Sequence, residues 1–346
     1  MRRVLQVGVG PLGRMIVEAL HRSGVGVVAG AIDPDPAIRG KRLSDLVHDH
    51  GAIDPVVVGS IDELALDEGF HAAIVSTSSS LAACAPTFRQ LLGFGTAIVS
   101  TCEELLFPWL RHRDLAAELD ALARETGGRL LGTGVNPGFL MDTLPVVASA
   151  VCADVRGAVI ERVQDATTRR VPFQKKIGAG LTPQEFSKRC ADGSLRHVGL
   201  GESLHFVAHY LGVRIDAWTE SIEPVIAGAE LECGLGQILP GQAAGVQQIA
   251  RGMLNGRDII RLEFVAAIGQ PDPHDRIRID ADPPIDLVLR GGVHGDLATT
   301  NIVINSLPCI IDAPPGLHTM ATVRPVRAIS ATTPLPGSRP AHHILS

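Results

Sequence analysis

Aromatic side chains are scarce: phenylalanine, tryptophan and tyrosine make up 3% of the 346 residues, with a single tyrosine. A base-stacking surface needs such rings in number, so single-stranded nucleic acid is a poor match. The net charge is −6 and no long basic block is present, which argues against duplex nucleic acid or an anionic membrane as partner. The six cysteines (Cys84, Cys102, Cys152, Cys190, Cys233 and Cys309) include no Cys-x-x-Cys, and no histidine pair has ligand spacing. In a chain this long they read as reduced, buried thiols, with neither a disulfide framework nor a metal site. No apolar run approaches the roughly twenty residues needed to span a bilayer. The start, MRRVLQVGVGPLG, is basic then apolar, but glycine and proline break it within about ten residues, which suits a strand better than a signal peptide. The expected location is the cytoplasm.

What is present is the balance of an ordinary globular protein, 45% hydrophobic and 20% charged, with length enough for two domains. Residues 1–142 alternate strand and helix signals. Apolar strands are expected at 4–7, 25–32, 71–76 and 96–101, with helices at 13–23 and 110–126. Such alternation predicts right-handed βαβ units and a doubly wound parallel sheet of the Rossmann type. The pattern then changes. Strands at 158–164, 259–267, 276–279 and 285–289, with helices at 183–191, 203–211 and 298–306, predict a second α+β domain over 143–306. Residues 307–330 are expected to pack back on the first domain. The stretch 331–346, rich in Pro, Ser and Thr, is expected to be a disordered tail.

After the first strand comes Gly8-Val9-Gly10-Pro11-Leu12-Gly13, a G-x-G-x-x-G between strand and helix. Gly8 permits the tight turn, Gly10 lets backbone approach a pyrophosphate, and Gly13 lets helix pack on strand. The helix N-terminus then faces the phosphates. Asp33 lies twenty residues beyond Gly13, at the end of the second strand, where a carboxylate accepts from a ribose 2′-hydroxyl. That favours NAD, while Arg39 and Lys41 close behind are placed to hold the 2′-phosphate of NADP. Both cofactors remain open.

Ligands of a doubly wound sheet bind beyond the carboxyl ends of its strands. Three segments arrive there: Ser76-Thr77-Ser78-Ser79-Ser80, Thr101-Cys102-Glu103-Glu104, and Gly132-Thr133-Gly134-Val135-Asn136-Pro137-Gly138. Ser76, Thr77, Ser78 and Asn136 are therefore expected against the cofactor. Two carboxylates between a buried strand and the apolar Leu105-Leu106-Phe107-Pro108-Trp109 are costly to desolvate. One would suffice to compensate a helix dipole, so the other is expected to face the cleft. In an extended segment Glu104 shares a side with Cys102 and Leu106, and Glu103 takes the other side; Glu104 is the favoured catalytic residue, with Glu103 its alternative. Phe139, Met141, Phe173 and Thr300 are expected to line a substrate pocket. Thr182, Pro183 and Glu185 form a capping box, Asp296 is expected to cap the helix that follows it, and His294 is expected to be structural.

With these segments in hand, the chain resembles the native amine dehydrogenases and 2,4-diaminopentanoate dehydrogenase, a group related to dihydrodipicolinate reductase. The likeness covers most of residues 1–325 and rests on GVGPLG, STCEELLFP, GTGVNPGF, DATTRR with KKIGAGLTPQEF, and GGVHGDLATT. The His-His-x-x-Lys signature of dihydrodipicolinate reductase itself is missing. The resemblance implies a homodimer in which NAD(P)H sits on a Rossmann domain and a second domain closes over a ketone or imine. It implies, too, that a glutamate after a cofactor-domain strand acts as acid and base, which falls on Glu103 or Glu104. Reductive amination needs a group that takes a proton from ammonium and then stabilises an iminium, and a carboxylate in a semi-dry pocket does both. The expected substrates are a small ketone or aldehyde, the corresponding amine and ammonia. The alternatives are 2,4-diaminopentanoate dehydrogenation, a cyclic imine or semialdehyde reductase whose Arg169, Arg170, Lys175 and Lys176 clamp a substrate carboxylate, and a non-catalytic dinucleotide sensor.

Overall fold

Four short apolar segments build the centre of the first sheet: β1 (Arg2–Val7), β2 (Gly26–Ile32), β4 (Ala72–Val75) and β5 (Ala97–Ser100), with a two-residue β3 (Val57–Val58) and β6 (Arg129–Gly132) flanking them. A computed structural model of the chain describes residues 1–64 and 69–329; the expected tail at 331–346 lies outside the described residues. Nearly every residue of β2, β4 and β5 is buried, as strands covered on both faces must be. Between them run α1 (Pro11–Ser23), α2 (Leu81–Gly93) and α3 (Arg113–Thr126). The last begins later than the expected 110, because Pro108–Leu110 forms a separate 3₁₀ turn. All pairings are parallel. The order β3-β2-β1-β4-β5-β6 reverses direction between β1 and β4, which is where such sheets bind ligands.

The second sheet is mixed. Helices α4 (Thr143–Ala148), α5 (Val171–Lys176), α6 (Pro183–Ala191) and α7 (Leu200–Leu211) are interleaved with β7 (Ala153–Asp165), β8 (Ala217–Ile226), a β9–β10 hairpin (Leu231–Cys233, Gly236–Ile238), β11 (Ala243–Leu254), β12 (Arg257–Ala267), β13 (His274–Asp282) and β14 (Ile285–Arg290). The sheet order is β14-β13-β7-β12-β11-β8, and β7 and β12 are parallel neighbours. Ile160, Leu262 and Phe264 from the strands pack with Phe186, Leu204 and Val207 from α6 and α7. β8 and β11 were not expected; their polar alternation (Trp-Thr-Glu-Ser, Gln-Gln) hides a half-buried strand.

One helix, α8 (Gly295–Ile311), follows. Val303, Leu307 and Ile310 join Ile16 and Leu20 of α1 in the core of the first sheet. The boundary expected between 306 and 307 thus falls inside a continuous helix. β15 (Gly316–His318) then pairs with β6 at the edge of that sheet.

Candidate active site

The phosphate loop is built as its glycines require. Gly8 has φ +88°, and a Cβ there would lie 2.7 Å from the Ser76 carbonyl oxygen; a Cβ on Gly13 would lie 2.0 Å from that of Gly8. Pro11 opens α1, and no side chain caps that helix. A Cβ on Gly10 would meet nothing within 4 Å, so the first amides of α1 are open to an anion. These residues fit the pyrophosphate of a dinucleotide. Asp33 is buried at the end of β2, where Oδ2 accepts from the Val9 amide at 2.8 Å and Oδ1 from that of Asp35 at 3.0 Å. It therefore braces the loop, and each oxygen keeps a second lone pair for a ribose hydroxyl. Arg39, the candidate for a 2′-phosphate, is paired with Glu63.

Beyond the carboxyl ends of β4, β5 and β6 lies a cavity of about 280 Å³. The first sheet contributes Leu12, Ser76, Thr77, Ser78, Glu103 and Asn136. The second contributes Arg162, Gln164, Arg169, Arg170, Phe173, Lys176, His197 and Phe264, and Asp296 and Thr299 of α8 complete the lining. The segment holding the two glutamates is a 3₁₀ turn, Glu103–Leu105. Successive residues there point about 120° apart, so the alternation expected of an extended chain does not apply. Glu103 faces the cavity, where Lys176 Nζ stands 3.3 Å from its Oε1. Glu104 is buried away from it: Oε2 accepts from the Leu81 amide at 2.8 Å and contacts His112 Nε2 at 2.9 Å, while Arg196 lies 3.9 Å from Oε1. The preference for Glu104 at the cleft is corrected on this geometry. Glu104 holds the N-terminus of α2, and its amide bonds the Ser79 carbonyl, which fixes the loop carrying Ser76, Thr77 and Ser78.

Of the residues expected around a substrate, Phe173 is in the lining, with the Arg169 guanidinium 3.8 Å above its ring. Three are elsewhere. Met141 is fully buried in the core of the second sheet. Phe139 packs against the core of the first. Thr300 turns its hydroxyl to the Asp296 carbonyl inside α8, at 2.9 Å. The expected capping box is present, with Thr182 and Glu185 bonding each other's backbone. His294, not Asp296, caps α8, through Nδ1 and the Leu297 amide. Asp296 instead draws in Arg169, at 3.2 Å, and Arg170, at 3.0 Å.

Several lining residues were not singled out from sequence. His197 stacks on Phe264 with ring centroids 4.3 Å apart, and its Nε2 lies 3.0 Å from Asn136 Nδ2. The Asn136 amide thus links the two sheets across the cavity. Burial, helped by Lys176, Arg162 and Arg169, holds His197 well below its usual pKa, so it accepts from Asn136 as a neutral ring. Arg162 lies on the buried side of β7 and is paired with Asp275 at 2.5 Å. A charged residue in phase with Ile160 on the apolar side of a strand was the available signal. Asp142, wholly buried, accepts from the Gly138 amide and the Ser203 hydroxyl, both at 2.8 Å, and ties the Asn136 loop to α7.

Comparison with known proteins identifies the family and the fold. A family model described as the 2,4-diaminopentanoate dehydrogenase C-terminal domain matches residues 139–334. The chain is 29% identical over 340 residues to 2,4-diaminopentanoate dehydrogenase of Acetoanaerobium sticklandii, covering 94% of each chain. It is 22% identical over 342 residues to an amine dehydrogenase of Streptomyces virginiae, covering 90% of this chain and 93% of that one. Among solved structures, an amine dehydrogenase from Mycobacterium smegmatis superposes with a TM-score of 0.81 at 23% identity, covering 94% of this chain and 97% of that one.

Proposed function

Because the chain belongs to the 2,4-diaminopentanoate dehydrogenase family, we propose that it is an NAD(P)-dependent amine dehydrogenase, interconverting an amine with a ketone or aldehyde and ammonia. The single observation that carries the assignment is Glu103, a carboxylate lining a cleft between a phosphate loop and a cationic wall. When bound, the reduced dinucleotide supplies the hydride. In the aminating direction Glu103 takes a proton from ammonium, and the freed ammonia adds to the carbonyl. The same proton leaves with the carbinolamine hydroxyl as water, and Glu103, again a carboxylate, stands beside the iminium. Ser76, Thr77, Ser78 and Asn136 are assigned to the cofactor, on their place in the lining beside Leu12.

The substrate proposed is one bearing an anionic group. A small ketone or aldehyde is the expected substrate, but of the apolar residues expected to line its pocket Met141 is buried in one core and Phe139 packs against the other. The cavity holds Arg169 and Arg170 sharing one carboxylate, Asp296, and two cations against one anion leave a positive charge for a substrate carboxylate. That suits an amino acid with a second amino group as well as a keto or aldehyde acid. The proposed setting is the cytoplasm, which the six free thiols suit; no described helix is long and apolar enough to cross a membrane. A homodimer is proposed by family likeness.

The test is cofactor oxidation with paired carbonyls, each with and without a carboxylate, in the presence and absence of ammonium. Ammonium-dependent turnover of the carboxylate-bearing member supports the reading. Turnover without ammonium points to an ordinary imine or semialdehyde reductase, and dinucleotide binding without turnover to a sensor.

A further inference from the structure

Coenzyme choice turns on a few charges where β2 and β3 end. The two strands pair Ile32 with Val58, and the Asp33 amide donates to the Val58 carbonyl at 2.9 Å. The residue that follows β3 is Gly59. A Cβ there would lie 2.9 Å from Arg39 Nε and 3.0 Å from Arg39 Cζ, so the guanidinium rests against the backbone beside Asp33. Its own backbone is fixed one turn after β2, with the Arg39 amide 2.8 Å from the Asp35 carbonyl. In a doubly wound fold this strand end meets the adenosine ribose.

The guanidinium is already matched. Arg39 Nη2 lies 3.1 Å from Glu63 Oε1 and 3.0 Å from Oε2. Glu63 is anchored in turn by the Gly59 amide and the Ser60 hydroxyl, each at 3.3 Å. The Gly59 bond, with Arg39, keeps its carboxyl below the usual pKa, so it is ionised at any working pH. We propose that Glu63 selects NAD over NADP by neutralising Arg39, the guanidinium placed to meet a 2′-phosphate.

The ion pair is exposed, with side chains 55% and 39% accessible, and the strength of such a bridge is small. The selection comes from the charge count. Among the described residues, a 2′-phosphate arriving here approaches the carboxylates of Asp33, Asp35 and Glu63, with the Arg39 guanidinium already matched by Glu63 and that of Arg14 turned to the Val9 carbonyl at 3.0 Å. A 2′-hydroxyl carries no charge and needs only an acceptor, which Asp33 retains. Removing the Glu63 charge leaves Arg39 free to pair with phosphate in its place. Lys41 follows in the same loop, exposed, and any part it takes is separable by mutation.

The experiment is fluorescence titration of the full-length enzyme with NADH and with NADPH, without amine or carbonyl. It rests on dinucleotide binding alone, so its failure leaves the amine chemistry untouched. Wild type should bind NADH more tightly than NADPH. Glu63→Gln should tighten NADPH by roughly five- to tenfold while NADH changes by less than about twofold. Arg39→Ala alone should leave both affinities near wild type, and in the Glu63→Gln background it should cancel the gain. Melting curves confirm that each variant is folded. A folded Glu63→Gln with no NADPH gain would overturn the proposal. So would a gain that survives removal of Arg39, or a wild type that prefers NADPH and loses that preference with Arg39→Ala.

Discussion

Lys176 and Glu103 meet across the cleft, Nζ to Oε1 at 3.3 Å, one from the last residue of α5 and the other from the turn after β5. A cation of the second sheet thus stands on the carboxylate of the first, where a substrate ammonium or iminium would need to be. The pair keeps Glu103 beside a positive charge before substrate arrives.

The phosphate loop gives a clean test because Gly10 has φ −68° and open space around it. Gly10→Ala should fold normally, with an unchanged melting temperature. A methyl group there obstructs the approach of pyrophosphate to backbone, and the affinity for reduced dinucleotide should fall by about tenfold or more. Fluorescence titration reads this, and an unaltered affinity would displace the pyrophosphate from the loop.

Arg170 separates substrate classes. Its side chain is about one-third exposed, so loss of its charge should raise KM for a carboxylate-bearing carbonyl by about tenfold. KM for a matched neutral ketone should change little. Steady-state kinetics of Arg170→Met on the pair decides it, and equal effects on both would remove the case for an anionic substrate.

His197 predicts a pH dependence of stability. Its folded-state pKa lies well below the ordinary 6.5, chiefly through burial, so the unfolded chain binds the proton more readily. Stability from this group is complete above about pH 6.5 and declines as pH falls toward the folded-state value, by at most about 1.4 kcal/mol per pH unit. Between about pH 7.5 and about pH 5.5, His197→Gln should therefore lose less melting temperature than wild type. Identical losses in the two proteins would show that His197 does not contribute.

Glu104 should act on stability. It accepts from the first amide of α2 and contacts His112 in a buried site. Glu104→Gln keeps the shape but loses the charge at a helix N-terminus and a charge-assisted bond, at a cost of about 1–2 kcal/mol. Chemical denaturation measures it, and no change in midpoint would contradict the structural role.

Much of this architecture is legible in the residues themselves, for local reasons. GVGPLG between a strand and a helix needs only neighbouring residues to define its turn, and AAIV and AIVS declare strands buried on both faces. The rule that ligands gather at strand ends then locates Ser76, Thr77, Ser78, Glu103 and Asn136. Orientation within those segments is not legible in the same way. An extended chain and a 3₁₀ turn assign Glu103 and Glu104 to opposite duties, and only tertiary packing selects between them. Met141 and Phe139 follow Asn136 closely in sequence, yet the turn at Gly138 carries both into cores. Gln164 and Phe264 reach the cavity from β7 and β12, and His197 from the loop between α6 and α7; no spacing announces their meeting.

The most direct measurement is the rate of ammonium-dependent cofactor oxidation by Glu103→Gln, beside Glu104→Gln, with cofactor affinity and melting temperature recorded for both. Glu103→Gln should lose roughly 10²–10⁴-fold in turnover while binding reduced dinucleotide and melting as wild type does. Glu104→Gln should keep most of its turnover and lose stability. Near-normal turnover in a folded, cofactor-binding Glu103→Gln enzyme would contradict the carboxylate mechanism. Selective loss in a stable Glu104→Gln would move it to the other glutamate.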